Sequence, residues 1–510
     1  MRTSFAPLLA VAAIALPLGA ADAADLVVGF SQDALTLDPA NHRKRETETI
    51  IRNIYDGLLT RDAQMNVVPE LAESWEQIDT TTFEFKLRPG VKFHNGDELT
   101  AEDIKFTFER LTQEGAMDGQ TSPRADLLGP LEAVEIVDPQ TVRFVLESPW
   151  PILPAMLPFQ EVVSKAFVEQ AGPGGLATQA NGTGPFKLVE WRRGDSIIME
   201  RFEDYYGGAS DIAPVGPAPS ERVIFRIIPE NSSRVAALLA GDVHLINELP
   251  VSSMSQVESN PGTQVMTVNG TRTFFVALNL AKPPFDDVRV RQALNHALDK
   301  QLIIDRVLNG TATPLSGVLS PDAFAFNADL PAYEHDLEKA KALLAEAGYP
   351  DGFEATLDVE GAFKDTAEAI AALLARANIQ VAVQVWEGAV LTPIWRDPEQ
   401  RKERDMYFTS WGNGSLDPSD IMLPTLRTDG RGNSAGYSNA KVDELLDGAD
   451  VEVDRDQRRA MYLEAQEIVS AEAPWVFLWL PQDVYGASAR LKGWQPSADS
   501  RINLHDAYLE

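Results

Sequence analysis

The sequence predicts a mixed α/β fold organised in two or three domains. Its 510 residues are 44% hydrophobic and 24% charged, which is an ordinary globular composition and enough length for several full-sized cores. Segments in which apolar and polar residues alternate indicate half-buried strands, and segments with apolar residues three and four positions apart indicate amphipathic helices. Both kinds of segment occur along the whole chain, without heptads, a fixed-period repeat or a low-complexity run.

The N-terminal elements are predicted in this order. Residues 26–30 are typical of a buried strand, and a helix is expected over about 47–59. Residues 83–87 alternate between aromatic or aliphatic and charged side chains, which predicts a strand. A Pro-Gly turn then predicts a hairpin with 91–93. Thr100 precedes an acid by three positions and an apolar helical stripe, so we expect it to be an N-cap.

Later elements follow the same two patterns. Strands rich in β-branched or aromatic residues are predicted at 141–146, 196–202 and 223–228. Amphipathic helices are expected after Asp336, ending at Gly348, after Ser438, and over about 461–469. Glycine- and proline-dense patches at 172–175, 213–219 and 260–262 are candidate places where the chain changes domain.

The N-terminus predicts secretion. A positive residue, an apolar stretch, a Pro/Gly break and Ala21-Asp22-Ala23 together resemble a signal peptide, which we assign to residues 1–23. The alternative is an uncleaved membrane anchor, but the apolar run is shorter than the roughly 18–20 residues that span a bilayer. No later stretch of the sequence qualifies as a span.

Charge and cysteine content narrow the possible partners and compartments. Lys and Arg total 44 against 76 Asp and Glu, and the net charge of −32 would repel nucleic acid. The absence of cysteine excludes disulfides, thiolate chemistry and attachment of a lipid to cysteine. A secreted chain that is not a lipoprotein fits a Gram-negative periplasm.

Catalytic patterns are weak. The six histidines show no metal-ligand spacing, and there is no nucleophile elbow, Walker loop or dinucleotide fingerprint in a strand-to-helix setting. The glycines at 182–184 precede a proline and have no nearby lysine, so a turn is favoured over a phosphate cradle. With 76 acids, a glycosidase-like pair of carboxylates would arise by chance. We therefore predict no catalytic residue, metal ligand or cofactor.

A loop around Trp411 is a candidate binding element. Ser410-Trp411-Gly412-Asn413-Gly414 places an aromatic ring beside residues that favour irregular backbone, as would suit the wall of a ligand cleft. The alternative is a core tryptophan followed by a turn. Composition alone favours neither interpretation.

Five stretches of sequence carry a family resemblance. LAESWEQIDTTTFEFKLRPGVKFHNGDELTAEDIKFTFER, from Leu71, closely resembles the signature region of the family 5 extracellular solute-binding proteins, which are the dipeptide- and oligopeptide-binding components of ABC importers. Four further stretches match in the same order and extend the resemblance over essentially the whole mature chain: GTGPFKLVEWRRGD from Gly182, FDDVRVRQALNHALDK from Phe285, DLEKAKALLAEAGYPDGF from Asp336 and GNSAGYSNAKVDELLDGA from Gly432.

This resemblance implies a two-lobed periplasmic-binding-protein fold of type II, of the large three-domain cluster C kind, with mixed sheets. Domain I would comprise 24–50, 175–268 and 482–510, with domain II inserted as 51–174 and domain III, the second lobe, as 269–481. Two connections would act as a hinge, so that the lobes close over a small-molecule ligand and the closed form meets an ABC permease in the inner membrane. One cleft per chain implies a monomer.

The resemblance also implies where a peptide would bind. Peptide-binding members hold an extended ligand through its main chain, and an aspartate three residues after the tryptophan corresponding to Trp411 holds its ammonium group. In this chain that position is Gly414. Either Asp417 or another carboxylate substitutes, or the ligand lacks a free α-ammonium there, because a buried ammonium needs a partner.

Further candidate ligand-binding residues come from the matching segments. The cleft loop would contribute Trp411, Asn413, Gly414, Ser415 and Asp417, and the loop after the first strand would contribute Ser31, Gln32 and Asp33. Arg272 and Phe274 lie in an otherwise apolar strand, where the guanidinium needs a carboxylate from the protein or from the ligand. Trp386 and Glu387 follow a strand near the cleft, although Trp386 is equally interpretable as a core residue.

The sequence therefore predicts a periplasmic binding protein for a peptide or peptide-like ligand, with no enzymatic activity. The first alternative keeps the same machinery for another cargo, such as an opine, a glutathione-like conjugate, an oligosaccharide, or a nickel or haem complex. A distant alternative is a secreted hydrolase.

Overall fold

The computed structural model describes residues 25–117, 119–172, 174–207 and 216–510. The predicted signal peptide, 1–23, lies outside these residues. Among them, no helix combines the length and the apolar character needed to cross a membrane.

Strands in the described residues are numbered in chain order. They are β1 (Leu26–Phe30), β2 (Leu59–Arg61), β3 (Val67–Pro69), β4 (Ala72–Gln77), β5 (Thr82–Leu87), β6 (Leu131–Asp138), β7 (Thr141–Leu146), β8 (Phe186–Arg192), β9 (Ser196–Arg201), β10 (Arg222–Ile227), β11 (Leu245–Ile246), β12 (Thr263–Asn269), β13 (Arg272–Leu278), β14 (Ala312–Pro314), β15 (Phe353–Glu360), β16 (Ile379–Trp386), β17 (Met406–Gly412), β18 (Trp475–Ser488), β19 (Leu491–Lys492) and β20 (Tyr508–Leu509).

The α-helices of the described residues are numbered likewise. They are α1 (Arg45–Ile51), α2 (Ala101–Thr112), α3 (Leu153–Met156), α4 (Lys165–Ala171), α5 (Asn231–Ala240), α6 (Met254–Glu258), α7 (Val288–Ala297), α8 (Lys300–Arg306), α9 (Leu337–Glu346), α10 (Lys364–Leu374), α11 (Gly388–Arg396), α12 (Pro398–Arg401), α13 (Ser419–Leu426), α14 (Ala440–Val451) and α15 (Arg455–Glu472).

A mixed sheet runs through the molecule in the order β16-β15-β17-β13-β18-β11-β1-β10-β9-β8, with β12 and β14 also paired to β18. Strand β1 is parallel to β10 and β11, whereas β13 is antiparallel to β17 and β18. A separate antiparallel sheet has the order β4-β5-β7-β6. The predicted α/β class with mixed sheets is confirmed.

Strand β18 joins two lobes. Its N-terminal part, from Trp475, pairs with β13, and its C-terminal part, up to Ser488, pairs with β12. Strands β12 and β13 follow one another, and between them Gly270 N–H donates to the carbonyl of Pro481 at 3.0 Å. Two neighbouring chain connections therefore link a first lobe (described residues of 25–269, and 482–510) to a second lobe (272–479).

Each lobe has its own buried apolar clusters. In the first lobe, Phe85, Phe108 and Phe144 pack edge to face beneath the four-stranded sheet, and a second cluster surrounds β1, β9 and β10. In the second lobe, Phe275 stacks on Trp475 with ring centroids 3.7 Å apart. Such independent cores let the lobes move as rigid bodies.

One predicted helix is much shorter than expected. The helix expected over 47–59 is α1, which ends at Ile51. The next residues bind distant segments instead: Gly184 N–H donates to the carbonyl of Ile54 at 2.9 Å, and the Asn53 amide donates to the carbonyl of Ile502 at 2.9 Å. Tertiary hydrogen bonds therefore replace the helical ones that the apolar periodicity suggested.

The predicted hairpin between 83–87 and 91–93 is wrong. Strand β5 pairs with β4 and β7, and Lys92 forms an isolated bridge with Glu98. A Pro-Gly turn reverses the chain but does not choose the partner strand, which is decided by burial across the sheet.

The predicted starts of helices agree better with the structure than the predicted strand pairing does. The predicted cap at Thr100 is confirmed, since its backbone N–H donates to Asp103 at 2.9 Å in a capping box. Helix α9 begins after Asp336, as predicted. The cap of α14 is Asn439 rather than Ser438, one residue later than expected.

Candidate ligand-binding cleft

The lobes touch around residues 411–420 of the second lobe, which we call the cleft loop. Arg61 of the first lobe donates from Nη2 to the carbonyl of Ser415 at 2.8 Å. A Cβ built on Gly414 would lie 3.3 Å from Cζ of Phe159 in the first lobe, so the glycine allows close approach. Met65 and Ala498 of the first lobe form a small buried cluster with Leu416. The structure therefore has a closed cleft.

A cavity of about 370 Å³ lies on the second-lobe side of this cleft. We call it the second-lobe cavity. Strands β13 and β17 form its floor, since Phe274 and Ser410 are register partners. Aromatic rings and charged groups share its wall, among them Arg272, Phe274, Glu360, Phe363, Arg396 and Trp411.

The arginines of this cavity contact a hydroxyl group and an aromatic ring. Arg272 Nη1 donates to the hydroxyl of Ser410 at 3.3 Å, and the Arg396 guanidinium lies 5.6 Å from the centroid of the Trp411 ring. Neither forms an ion pair with a carboxylate in the described part of the chain. Arg272 keeps solvent contact, yet desolvation in the cleft and the nearby charge of Arg45 lower its pKa, against the opposing effect of Glu360. The cavity thus presents positive charge to a ligand.

Glu360 is the carboxylate of the second-lobe cavity. It ends β15 and lies beside the start of α11, where a Cβ on Gly388 would be 2.8 Å from its carboxylate oxygens. Glycine at 388 therefore lets the acid sit against the helix. A single cavity holds two guanidinium groups and one carboxylate, which is the complement of a zwitterion.

Two smaller cavities, of about 140 and 210 Å³, lie in the first lobe and share Arg45. The neighbouring arginines are neutralised: Arg501 pairs with Asp499 at 3.1 Å, and Arg124 with Glu48 at 3.7 Å. Arg45 instead donates from Nη1 to the carbonyl of Asp499 at 2.6 Å and to the Ser500 hydroxyl at 3.0 Å. It forms no ion pair with a carboxylate of the described residues.

The cleft loop is built around Trp411 and Asn413. Trp411 lines the second-lobe cavity, and its Nε1–H donates to the carbonyl of Asp420 at 2.9 Å. Asn413 is buried, with its N–H bound to the carbonyl of Thr271 at 2.9 Å. Its side-chain Nδ2 has no hydrogen-bond partner among the described residues. Ser415 donates from its backbone N–H to Asp420 at 3.2 Å.

The Asp417 carboxylate is bound by protein groups. Its carboxylate binds Arg458 at 2.6 and 2.7 Å in a buried bidentate pair, and it also accepts from the Ser419 N–H at 3.0 Å. Both oxygens are therefore engaged by the protein. This arrangement stabilises the loop and leaves Asp417 a structural residue.

Other sequence-predicted residues lie outside the cavities. Buried Ser31 accepts from Asn247 at 2.9 Å, whereas Gln32 is exposed. Asp33 accepts from Trp191 Nε1–H at 2.9 Å and from the Gly194 N–H at 2.7 Å.

Trp386 and Glu387 also lie outside the cavities described above. Trp386 donates from Nε1 to Asp358 at 2.9 Å and packs against a second-lobe core cluster. Glu387 is exposed and precedes α11. Asp358 also accepts from Trp395 at 2.9 Å and from Arg404 at 2.8 Å, so this network links β15 to β16 and α11.

Sequence reasoning missed three residues that line the cavities: Arg45 in the first lobe, and Glu360 and Arg396 in the second. They come from a loop-to-helix junction, a strand end and a helix end that are far apart in the chain. A signal for Arg45 was present, because Arg43-Lys44-Arg45 is a basic run in a strongly acidic chain. Glu360 and Arg396 have no local signature.

Known proteins resemble this chain over most of its length. A family model described as "Bacterial extracellular solute-binding proteins, family 5 Middle" matches residues 66–433. The glutathione-binding protein GsiB of Pectobacterium atrosepticum is 28% identical over 516 residues, which cover 98% of this chain and 96% of that protein.

Solved structures extend the likeness to the fold. HbpA2 from Haemophilus parasuis superposes with a TM-score of 0.87 at 27% identity, covering 96% of this chain and 100% of that one. DppA from Helicobacter pylori, in complex with the peptide STSA, gives a TM-score of 0.74 at 30% identity, covering 96% and 98%. These relatives confirm the type II two-lobed fold. The chain therefore belongs to family 5 of the bacterial extracellular solute-binding proteins, the periplasmic ligand-capturing components of ABC importers.

Proposed function

We propose that this protein captures a small zwitterionic, peptide-like ligand in the second-lobe cavity. Arg272 and Arg396 would bind a ligand carboxylate, and Glu360 would bind the ligand's ammonium group. The observation that carries this proposal is a cavity with one carboxylate and two arginines that form no ion pair within the described residues. Charge-assisted hydrogen bonds to these groups are stronger than neutral ones and would orient the ligand.

The size and the walls of the cavity support a small ligand. A volume of about 370 Å³ lies at the lower end of the range typical of small-molecule sites, roughly 300–1,000 Å³. Trp411 and Phe274 provide apolar contact area for the ligand's stem. Relatives bind glutathione and a peptide, which are zwitterions of this kind.

We assign roles to the sequence-predicted residues accordingly. Arg272, Phe274 and Trp411 contact the ligand directly, whereas buried Asn413 holds the cleft loop through its N–H bond to the carbonyl of Thr271. Gly414 and Ser415 set the closed geometry of the cleft loop. The hydrogen bonds described above place Ser31, Asp33, Trp386 and Asp417 in the loops and cores that hold the cleft. Gln32 and Glu387 are exposed and have no ligand contact in this proposal.

We further propose the setting in which the protein works. The segment 1–23 is cleaved on export, and the mature, lipid-free protein diffuses in the periplasm as a monomer and presents its closed form to an inner-membrane permease. Domain I is 24–50, 175–268 and 482–510, domain II is 51–174, and domain III is 269–481. No bond of the ligand is broken, and nucleic acid is not a partner.

Native mass spectrometry of the purified protein, followed by calorimetry, tests the cargo. The probes are Ala-Ala, glutathione and their N-acetylated forms. We expect the free-ammonium forms to bind and N-acetylation to weaken binding, because Glu360 loses its partner. Glu360→Gln should remove that preference, and Arg396→Gln should weaken all of these ligands.

Arg376→Gln is the matched control, since Arg376 is exposed in the second lobe and lines none of the cavities described here. Equal binding of the free and N-acetylated ligands by the wild-type protein would contradict the role of Glu360. A copurifying sugar or other ligand without a carboxylate would overturn the peptide-like cargo, and cleavage of a bound ligand would overturn the non-enzymatic function.

A further inference from the structure

Side chains from both faces of the β13–β17 pair line the second-lobe cavity. Arg272, Phe274 and Ser410 lie on one face, because Phe274 and Ser410 are register partners and Arg272 precedes Phe274 by two residues. Trp411 follows Ser410 directly and therefore lies on the opposite face. The cavity reaches both faces around the edge of β17, since the register of β17 with β15 ends at Tyr407.

The wall of the cavity on the Arg272 face contains three phenylalanine rings. We call this part, formed by Phe274, Phe363 and Phe408, the phenylalanine compartment. The ring centroids are 5.3 Å apart for Phe274 and Phe363, 5.5 Å for Phe363 and Phe408, and 5.6 Å for Phe274 and Phe408. Phe274 and Phe363 are half-buried, so they present apolar surface to the cavity. Such a surface favours an apolar group of the ligand over water.

The charged groups of the cavity decide which end of the ligand reaches this compartment. Arg272 lies on the same face and precedes the first phenylalanine of the compartment by two residues, which is about 6–7 Å along a strand. Glu360 lies on the opposite face, because it follows Asp358, the register partner of Tyr407, by two residues. Tyr407 and Trp411 share that face, since they are four residues apart in β17. A carboxylate at Arg272 and an ammonium group at Glu360 therefore place the carboxyl-terminal residue beside the phenylalanine rings.

We propose that the phenylalanine compartment binds an aromatic side chain on the carboxyl-terminal residue of the ligand. This inference rests on the proposed zwitterionic cargo and names the residue at its carboxyl end. In an α-amino acid the carboxylate and the side chain leave the same carbon, so a carboxylate held by Arg272 directs that side chain towards Phe274 and Phe363. Aromatic rings that meet edge to face or offset-stacked attract each other beyond the gain from burying apolar area.

Isothermal titration calorimetry with Ala-Phe, Phe-Ala and Ala-Ala tests this assignment. The wild-type protein should prefer Ala-Phe to Ala-Ala by roughly tenfold to a hundredfold, the ratio expected for burying one phenyl group. It should also prefer Ala-Phe to Phe-Ala, because these isomers differ only in which end carries the ring. Phe363→Ala should lower the ratio of the Ala-Phe affinity to the Ala-Ala affinity by roughly threefold to tenfold, since one half-buried ring of the compartment is lost.

Phe326→Ala is the matched control, because Phe326 is a half-buried phenylalanine of the second lobe that lines none of the cavities described here. It removes the same ring and should leave the ratio unchanged. Equal affinity of the wild type for Ala-Phe, Phe-Ala and Ala-Ala would overturn the role of the phenylalanine compartment while leaving the zwitterionic cargo intact. A preference for Phe-Ala would overturn it as well, because the ring would then belong to the ammonium end.

Saturation-transfer NMR with 3-phenylpropionate gives a second readout, because this probe carries the carboxylate and the ring without an ammonium group. The wild-type protein and Phe326→Ala should give a signal from the ring protons, and Phe363→Ala should lose most of it. If no dipeptide binds but this pattern is observed, the peptide-like cargo fails and the phenylalanine compartment stands. If no dipeptide binds and the wild type gives no signal with 3-phenylpropionate, both proposals are refuted.

Discussion

Replacing Asp417 with asparagine removes one half of a buried ion pair in the cleft loop. The Asp417 carboxylate and the Arg458 guanidinium are 2.6 Å apart, with side-chain exposures of 8% and 7%. The substitution keeps the side-chain volume and leaves the guanidinium buried without its counterion. Arg458 still donates from Nε to the carbonyl of Ala449 at 2.8 Å and from Nη2 to the Tyr462 hydroxyl at 3.2 Å, so two hydrogen bonds of the arginine remain.

The expected cost follows from the burial of the pair. Removing one partner of a buried ion pair destabilises a protein by about 3–5 kcal/mol, because the remaining charge is uncompensated. In a folding unit of roughly 150–250 residues each kcal/mol lowers Tm by about 2–4 °C, so we expect the second lobe to melt about 6–20 °C lower.

Differential scanning calorimetry measures this shift, because the two lobes can melt separately. Exposed Asp322 provides the matched control, and Asp322→Asn should change Tm by no more than about 2 °C. Adding Arg458→Gln to Asp417→Asn should recover part of the loss, since no buried charge then lacks a partner.

Unchanged stability together with an altered ligand preference would refute this reasoning. If Asp417→Asn melts like the wild type but no longer distinguishes free from N-acetylated peptides, then Asp417 holds the ligand's ammonium and does not serve the fold. That outcome would restore the hypothesis that Asp417 replaces the acid absent at Gly414.

Three further substitutions test the closed cleft and the first lobe. Arg61→Ala removes a hydrogen bond that crosses the cleft, so scattering should show a more open ligand-free protein; an unchanged radius of gyration would contradict this. Gly182→Ala places a Cβ 2.1 Å from the carbonyl oxygen of Ile54, and we expect little soluble protein, whereas normal yield and Tm would show that the turn can relax. Burial lowers the pKa of His94 from 6.5 to about 4, so its stabilising contribution is present above pH 6.5 and is lost as the pH falls towards 4. Tm should therefore fall less steeply between these pH values in His94→Gln than in the wild type, and parallel curves would refute the assignment.

Elements with strong local signals were predictable. Strand β1 has the bounds that alternation indicated, and Thr100 caps α2, because both features depend on residues within a few positions of each other. The matching stretches identified the family for the same reason, since each is a continuous run of chain. The end of α1 and the partners of β5 were not predictable, because hydrogen bonds to distant segments decide them.

The cleft residues also divide into those that the sequence predicts and those that it does not. Trp411, Arg272 and Phe274 were found from an unusual loop and from a charged residue in an apolar strand. The sequence by itself determined that this is a two-lobed solute-binding protein of its family, since continuous motifs and periodic patterns carry that information. Only the tertiary structure decided that Asp417 is paired with Arg458 and that Glu360 and Arg396 share a cavity with Arg272. Electrostatic contacts act through space, and the residues that make them lie in different elements, outside the range of any local sequence pattern.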